Sequence, residues 1–214
     1  MTVYGIWPTE IGNSHNLKSQ FPDVEVGSFD VAQLSRAQME IIEADSFWCV
    51  SSLLDTIQDN YTFAQPGIQR KVAQLRELMS RVDRALYDHF ERHGVEFLQF
   101  AFRWMNNLLM REIPLRATIR LWDTYLSERG NGFSQFHTYV CGAFLRPWSR
   151  QLQAEKDFQG VMLMLQNLPT QGWNDQQICE LTADAYSLMQ VFHGCHAGRG
   201  SGGGGGVGGG GYLP

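Results

Sequence analysis

The sequence has little positive charge, no long hydrophobic run and no secretion signal. Its 17 Lys and Arg residues are outnumbered by 22 Asp and Glu residues, and the formal net charge is −5. Such a surface gives no electrostatic reason to expect nucleic acid or an anionic membrane as partner. No apolar run approaches the roughly 20 residues that span a bilayer, and the N-terminus lacks a basic region followed by an apolar one. We therefore expect a cytoplasmic protein that binds no nucleic acid and does not span a membrane.

No Cys-x-x-Cys pair occurs among the four cysteines. Scattered single cysteines favour reduced thiols in a cytosolic protein over a disulfide framework. We interpret all of them as core residues: Cys49, Cys141, Cys179 and Cys195.

Metal-binding clusters are also lacking. His89 and His93 could face one metal ion, but no third ligand accompanies them, and Phe90 stands where an H-E-x-x-H motif has its glutamate. A solvated helical face is the interpretation that we prefer. A second group borders a glycine-rich tail and has no partner cluster elsewhere; its members are His193, Cys195 and His196. The sequence therefore predicts no metal site.

Common catalytic motifs are absent as well. The chain has no Gly-x-Ser-x-Gly elbow, no Walker phosphate loop and no zinc-finger spacing. The common hydrolase and nucleotide-binding classes therefore lose support, and we predict neither a catalytic residue nor a cofactor.

What the sequence does contain is helical periodicity between two irregular ends. Residues 1–22 predict an irregular head, 23–193 a helical domain, and 194–214 a flexible glycine-rich tail. No strand alternation competes, so the pattern predicts an all-α domain of about eight helices. The expected helices are a short one opened by a Ser35–Gln38 capping box, one capped by Asp45, an amphipathic one from Ile68 with one break, a buried one over Val95–Met110, and others over Leu115–Tyr125, Phe136–Leu145, Phe158–Leu168 and Gln176–Phe192.

The most informative segment runs from Phe102 to Asp123, where two mainly apolar helices flank a tight turn. Arginine beside tryptophan is usually structural, so we expect each arginine to cover a ring and to pair with Glu112 or Asp123. The alternative is that one arginine supplies charge to a bound phosphate, as arginine fingers do. The residues concerned are Arg103, Trp104, Arg111, Arg120, Trp122 and Asp123.

Residues from about Ser28 to Phe192 resemble the TBC-domain family, which accelerates GTP hydrolysis by Rab GTPases, and most closely its member 22 branch. The likeness implies the wholly helical TBC fold, with Trp48 among its structural signature residues. It also implies a Rab-type small GTPase that brings its own GTP and magnesium, a membrane-traffic adaptor as a further partner, and a peripheral location on Golgi or other endomembranes. It is carried by Ile42–Cys49, Asp59–Ile68, Phe102–Asp123, Phe136–Cys141, Asp157–Gln159 and Leu165–Thr170.

The resemblance further implies a catalytic arginine in an Ile-x-x-Asp-x-x-Arg motif and a glutamine in a Tyr-x-Gln motif, which stabilise charge and orient water. In this sequence no Asp has an Arg three residues later, and no Tyr has a Gln two residues later. Phe63-Ala64-Gln65 mimics the second motif but falls in a separate loop. We therefore expect no catalytic finger, and we interpret that loop as part of the GTPase interface through Asp59, Asn60, Tyr61 and Gln65.

Together these observations predict a Rab GTPase-activating family member without an active site of its own, corresponding to the C-terminal half of a TBC domain. Two alternatives remain open. One is a non-catalytic module that binds a Rab or an adaptor. The other is a partial product without function, because half of a helical domain leaves apolar faces exposed.

Overall fold

A computed structural model describes residues 30–128 and 132–193. Within these ranges the regular structure is entirely helical, and the predicted all-α fold is confirmed. Short 3₁₀ turns at Val31–Gln33, Gln58–Asn60 and Arg146–Trp148 and a π-helical segment at Gly132–Phe136 connect the α-helices. The α-helices are α1 (Arg36–Ile57), α2 (Pro66–Val82), α3 (Arg84–His93), α4 (Phe97–Asn107), α5 (Leu115–Ser127), α6 (His137–Leu145), α7 (Ser149–Ala154), α8 (Phe158–Gln166) and α9 (Asp175–His193).

Several predictions concern residues outside the described ranges. The irregular head 1–22 and the glycine-rich tail 194–214 lie there, as do Cys195 and His196. No helix in the described part of the chain combines the length and the apolar character needed to cross a bilayer.

Helix α6 forms the centre of the core. All nine of its residues are buried, and α2, α4 and α9 pack around it. The sequence pattern favoured Val95–Met110 for this position, and that prediction is wrong. Phe100 and Trp104 do face the core, but Leu98 and Phe102 lie on the opposite side of α4 and are exposed. A helix can therefore be apolar on nearly all sides and still bury only one of them.

Helix α1 is one long element instead of two short ones. The Ser35 capping box forms as predicted, with Gln38 N–H donating to Ser35 Oγ and Ser35 N–H to Gln38 Oε1. The predicted cap at Asp45 is wrong, because no proline or glycine interrupts the 22 residues and Asp45 lies mid-helix. Of these described residues, only Ile57 is buried.

The amphipathic stretch that follows has the break that the sequence predicted. Pro66 occupies the first turn of α2, where a missing N–H costs no hydrogen bond. Asp83 ends that helix and caps α3 by accepting the Leu86 N–H at 3.0 Å. Gly94 then adopts a left-handed φ of 68°, which stops α3.

Two predictions about burial are wrong. His89 does not lie on a solvated face: it is buried, and its ring centroid lies 4.4 Å from that of His93, because α7 packs against α3. Among the described residues, no group of three metal-ligating side chains forms. Cys141 is a core residue, but Cys49 and Cys179 are exposed on the outer sides of their helices.

Leu163 and Leu165 provide a matched test of the packing, because both lie on α8 and only one is buried. Leu165 is fully buried and Leu163 is 62% exposed. We expect Leu165→Ala to lower the free energy of unfolding by about 2–5 kcal/mol, and Leu163→Ala to change it by less than about 0.5 kcal/mol. Urea denaturation followed by tryptophan fluorescence measures both values. Equal losses would contradict the described packing of α8.

Candidate functional site

The loop from Asp59 to Gln65 joins α1 to α2 and is held at both ends by hydrogen bonds. The Tyr61 hydroxyl donates to the Asn106 carbonyl at 3.0 Å, which fastens the loop to the end of α4. The Gln69 side-chain amide donates to the Ala64 carbonyl at 2.7 Å, which fastens it to α2. The loop is therefore fixed in position although it lies on the surface.

At its tip the loop presents an aromatic ring to water. Phe63 is 99% exposed, and the two residues after it, Ala64 and Gln65, adopt left-handed φ angles of 62° and 46°. Such angles cost a non-glycine residue on the order of 1–2 kcal/mol, and they persist when the surroundings enforce them. Phe63 is not among the residues that the sequence predicts for the interface. The signal that could have found it is an aromatic residue inside a loop bounded by Asn60 and Pro66.

The polar start of the loop is divided between surface and core. Asp59 forms a surface ion pair with Arg70 of α2. Asn60 is fully buried, and its Oδ1 accepts a hydrogen bond from Lys71 Nζ at 3.0 Å. The expectation that Asn60 belongs to an interface is therefore wrong, because its side chain is turned into the protein. Burial lowers the pKa of Lys71 to about 8, in spite of the opposing influence of Asp59.

Arg103 and Glu112 form the central ion pair of the Arg103–Asp123 segment. Arg103 donates through Nε at 2.6 Å and Nη2 at 2.7 Å to the two carboxylate oxygens of Glu112. Glu112 is only 8% exposed, so its charge depends on this bidentate partner. Arg103 Nη2 also donates to the Gln166 carbonyl at 3.3 Å, and the Thr170 hydroxyl donates to the Glu112 carbonyl. The pair thus connects α4, the following turn and the end of α8.

The turn after α4 is fixed from the other side by α5. Leu108 and Leu109 both adopt left-handed φ angles, 52° and 63°. The Trp122 indole N–H of α5 donates to the Leu108 carbonyl at 3.1 Å. Trp104 is fully buried against Phe144, with ring centroids 5.2 Å apart. Of the two tryptophans that flank the turn, Trp104 thus anchors α4 in the core and Trp122 bonds the turn itself.

Not every arginine of the segment has the partner that the sequence suggested. Arg120 donates to Thr124 Oγ1 at 2.9 Å. Among the described residues, neither Arg111, Arg120 nor Asp123 forms a salt bridge. The expected acid pairing therefore holds for Arg103 alone, and Arg120 donates to Thr124 and to Cys179 Sγ instead. Trp48 lies on α1, outside this segment, and is 63% exposed.

A buried polar chain extends the same frame into α6. His137 Nε2 bonds the Trp104 carbonyl at 3.1 Å, and its Nδ1 lies 2.8 Å from the Tyr125 hydroxyl. Because a carbonyl can only accept, Nε2 carries the proton and Nδ1 accepts from tyrosine. Burial lowers the pKa of His137 to about 3, so the ring is neutral and serves as a structural connector of three helices.

The comparisons with known proteins agree with this helical arrangement. A family model described as the Rab-GTPase-TBC domain matches residues 30–153. The chain belongs to this family. TBC1 domain family member 22B of Homo sapiens is 60% identical over 174 residues, which cover 81% of this chain and 34% of that protein. The GTPase-activating protein gyp1 of Schizosaccharomyces pombe is 47% identical over 181 residues, or 85% of this chain and 35% of that protein. The chain thus spans about a third of the length of these curated relatives.

A solved structure gives the same result for the fold of the TBC domain. The crystal structure of the Ypt/Rab-GAP domain of Gyp1p superimposes with a TM-score of 0.75 at 46% sequence identity. The match covers 81% of this chain and 53% of that one. The TBC fold expected from the resemblance is therefore confirmed over the matched region.

Replacing Arg103 tests whether the ion pair maintains the frame. Arg103→Ala leaves the Glu112 carboxylate buried without a partner, and we expect it to lower the free energy of unfolding by roughly 2–4 kcal/mol. Arg111→Ala is the matched control, because Arg111 is exposed, and we expect a change below about 0.5 kcal/mol. Chemical denaturation of the two variants measures the difference. Similar values for both would contradict a stabilising pair.

The buried Lys71 makes stability depend on pH in a defined direction. Its pKa is about 8 in the folded chain against an ordinary value of 10.5, so the unfolded chain binds more protons between these values. Lys71 should therefore raise the free energy of unfolding as the pH increases from about 8 to about 9.5. Lys71→Met should remove the gain, and Lys156→Met, at an exposed position, should keep it. Denaturation curves at the two pH values measure the gain for each variant. Equal gains for the two variants would contradict the assignment of this pH dependence to Lys71.

Proposed function

We propose that this chain takes part in GTPase activation on a Rab-type small GTPase, as the frame and a binding surface of a TBC domain. Its membership of the Rab-GTPase-TBC family supports this proposal, as does its 47% identity to a protein named as a GTPase-activating protein. In this account the GTPase carries the nucleotide and the magnesium ion, and the chain needs no cofactor. The protein would act in the cytoplasm, at the surface of Golgi or other endomembranes.

The catalytic arginine and glutamine would come from outside this sequence. Neither the Ile-x-x-Asp-x-x-Arg nor the Tyr-x-Gln motif occurs in it. The arginines of the Arg103–Asp123 segment do not replace them, because Arg111, in the turn after α4, and Arg120, on α5, stand in neither motif. Since an arginine finger contributes about 10³ to 10⁵ in rate, the chain alone should leave GTP hydrolysis at its intrinsic speed. The chain would then be one part of a GTPase regulator, without an active site of its own.

The proposed binding function rests on the loop from Asp59 to Gln65, which carries Phe63 at its tip. A ring that is 99% exposed on a loop fixed through Tyr61 and Ala64 can enter a partner's pocket with little loss of conformational entropy. Tyr61 is 45% exposed beside it and adds apolar area, while Asp59 and Gln65 supply polar groups at the rim. We place the GTPase contact here.

The same loop also favours a second candidate function, binding without catalysis. A fixed aromatic tip would serve equally for a Rab or for a membrane-traffic adaptor. The two functions differ in what happens to bound GTP. A partial product without function would neither bind nor unfold cooperatively.

The activity assay is phosphate release from a panel of GTP-loaded Rab GTPases, with and without the purified full chain. We expect the rate to stay within about twofold of the intrinsic rate, because the finger residues are not in the sequence. The Gyp1p Rab-GAP domain serves as the positive control. If the chain alone accelerates hydrolysis by about a hundredfold or more, the proposal that the catalytic arginine and glutamine come from outside this sequence is contradicted.

The binding assay compares two exposed phenylalanines. We expect Phe63→Ala to weaken binding of a Rab loaded with a non-hydrolysable GTP analogue by at least about tenfold, since a central aromatic contact is lost. Phe158→Ala on α8, a partly exposed position remote in sequence, is the matched control and should have little effect. Isothermal titration calorimetry measures both affinities. Equal affinities for the two variants would place the contact elsewhere.

A further inference from the structure

The loop from Asp59 to Gln65 has a buried anchor in addition to its contacts at the surface. Asn60, near the start of the loop, is fully buried, and Lys71 of α2 is only 3% exposed. The Lys71 ammonium donates to Asn60 Oδ1 at 3.0 Å. This hydrogen bond ties the loop to α2 from inside the protein.

The first turn of α2 leaves room for Asn60 because it contains a glycine. Gly67 precedes Lys71 by four residues, so the two positions lie one above the other on the same face of the helix. A Cβ atom added at Gly67 would lie 2.6 Å from Asn60 Oδ1 and closer still to Asp59 Oδ1. Real Cβ atoms essentially never come so close to another heavy atom. The loop can therefore approach α2 as it does only if position 67 has no side chain.

The contact between Lys71 and Asn60 is unfavourable for stability. A buried ammonium beside a neutral acceptor loses hydration that one hydrogen bond does not restore. Asp59 attracts the ammonium, but Asp59 is already paired with Arg70, whose charge repels it. Asn60 Nδ2 has no hydrogen-bond partner in the described part of the chain, which adds a further cost. Two apolar side chains would stabilise the fold at least as well.

What the polar pair supplies is direction. A hydrogen bond weakens steeply when its length or angle changes, whereas apolar side chains can shift against each other, and buried polar groups can in this way specify one arrangement. Phe63 follows Asn60 by three residues, and the Ala64 carbonyl after it accepts the Gln69 amide. Anchors on both sides of Phe63 restrict where its ring can lie.

We propose that Lys71 and Gly67 are positioning residues of the GTPase contact. They fix the start of the loop, at a cost in stability, so that Phe63 meets its partner in one orientation. Both residues are buried, so they act on the partner only through the loop. The inference rests on the proposed function in taking a Rab GTPase as that partner.

A double variant separates positioning from stability. Lys71→Met combined with Asn60→Leu replaces the polar pair by apolar side chains of similar size and leaves no buried charge or unpaired acceptor behind. We expect its midpoint of urea denaturation to equal or exceed that of the unmodified chain. We also expect it to bind a Rab loaded with a non-hydrolysable GTP analogue at least about tenfold more weakly, as measured by isothermal titration calorimetry.

Two control variants complete the comparison. Leu165→Ala lies in the core and should show the opposite behaviour, which is lower stability with unchanged affinity. Asn60→Asp keeps an oxygen acceptor for Lys71 and should retain the affinity within about threefold.

Hydrogen–deuterium exchange of the full chain without any GTPase measures the loop itself. We expect the amides of the Asp59–Gln65 loop to exchange at least about tenfold faster in the double variant, and those of α6 to exchange at an unchanged rate. Gly67→Ala should give the same faster exchange in the loop, because its methyl group displaces Asn60.

Three results would overturn the proposal. The first is unchanged exchange in the loop of the double variant. The second is Rab binding that the double variant leaves unchanged. The third is a loss of stability in the double variant as large as that in Leu165→Ala, because the pair would then serve the fold.

Failure of the proposed function gives a different result. The unmodified chain would then bind no Rab, and the partner named here would be contradicted. Faster loop exchange in the double variant and in Gly67→Ala would still assign Lys71 and Gly67 to the positioning of the loop. Rab binding by the unmodified chain and by the double variant with equal affinity contradicts this inference alone.

Discussion

A nearly buried carboxylate governs the architecture of this domain. Glu112 sits in the turn between α4 and α5 with 8% of its surface exposed, and a charge in that position must be neutralised and hydrogen-bonded. Arg103 meets this need with two hydrogen bonds from one planar group, which fixes the direction of α4 relative to the turn. Further hydrogen bonds to Gln166 and from Thr170 bring the α8 end of the chain to the same point. Helices that are distant in sequence are thereby held in one arrangement.

The position of the exposed loop follows from this arrangement. Helix α4 carries both Arg103, which pairs with Glu112, and the Asn106 carbonyl, which receives the Tyr61 hydroxyl. A change in the direction of α4 would therefore move the Phe63 tip. The same helix also supplies the Trp104 carbonyl that His137 bonds in the core. One helix thus links the centre of the domain to the surface at which we place the partner.

Local chemistry made much of the fold predictable from the sequence. The Ser35 capping box, the Gly94 stop and the proline before α5 act through neighbouring backbone groups, so each could be recognised without knowledge of the tertiary structure. Burial was harder to predict, because it depends on which helices become neighbours. Periodicity predicted a helix over Val50 and Leu54 but could not show that both side chains face water. It also could not show that His89 is covered by α7.

The candidate site also combines a feature that could be predicted from the sequence with features that could not. The interface loop could be located from the sequence through the family resemblance, but Asn60 was assigned to it although its side chain bonds Lys71 in the core. Phe63 was overlooked, because its place in a loop bounded by Asn60 and Pro66 marks it as a candidate but does not show how much of the ring is exposed. The left-handed backbone angles of Ala64 and Gln65 and the hydrogen bond from Tyr61 to Asn106 of α4, 45 residues away, could not be read from a local pattern.

We propose that the chain is the frame and a binding surface of a GTPase-activating domain and carries no catalytic group. Hydrogen–deuterium exchange of the full chain, measured during a single turnover of a GTP-loaded Rab, tests both parts at once. We expect slower exchange over the Asp59–Gln65 loop while GTP is hydrolysed at the intrinsic rate. Unchanged exchange in that loop, or GTP hydrolysis far above the intrinsic rate, would contradict it.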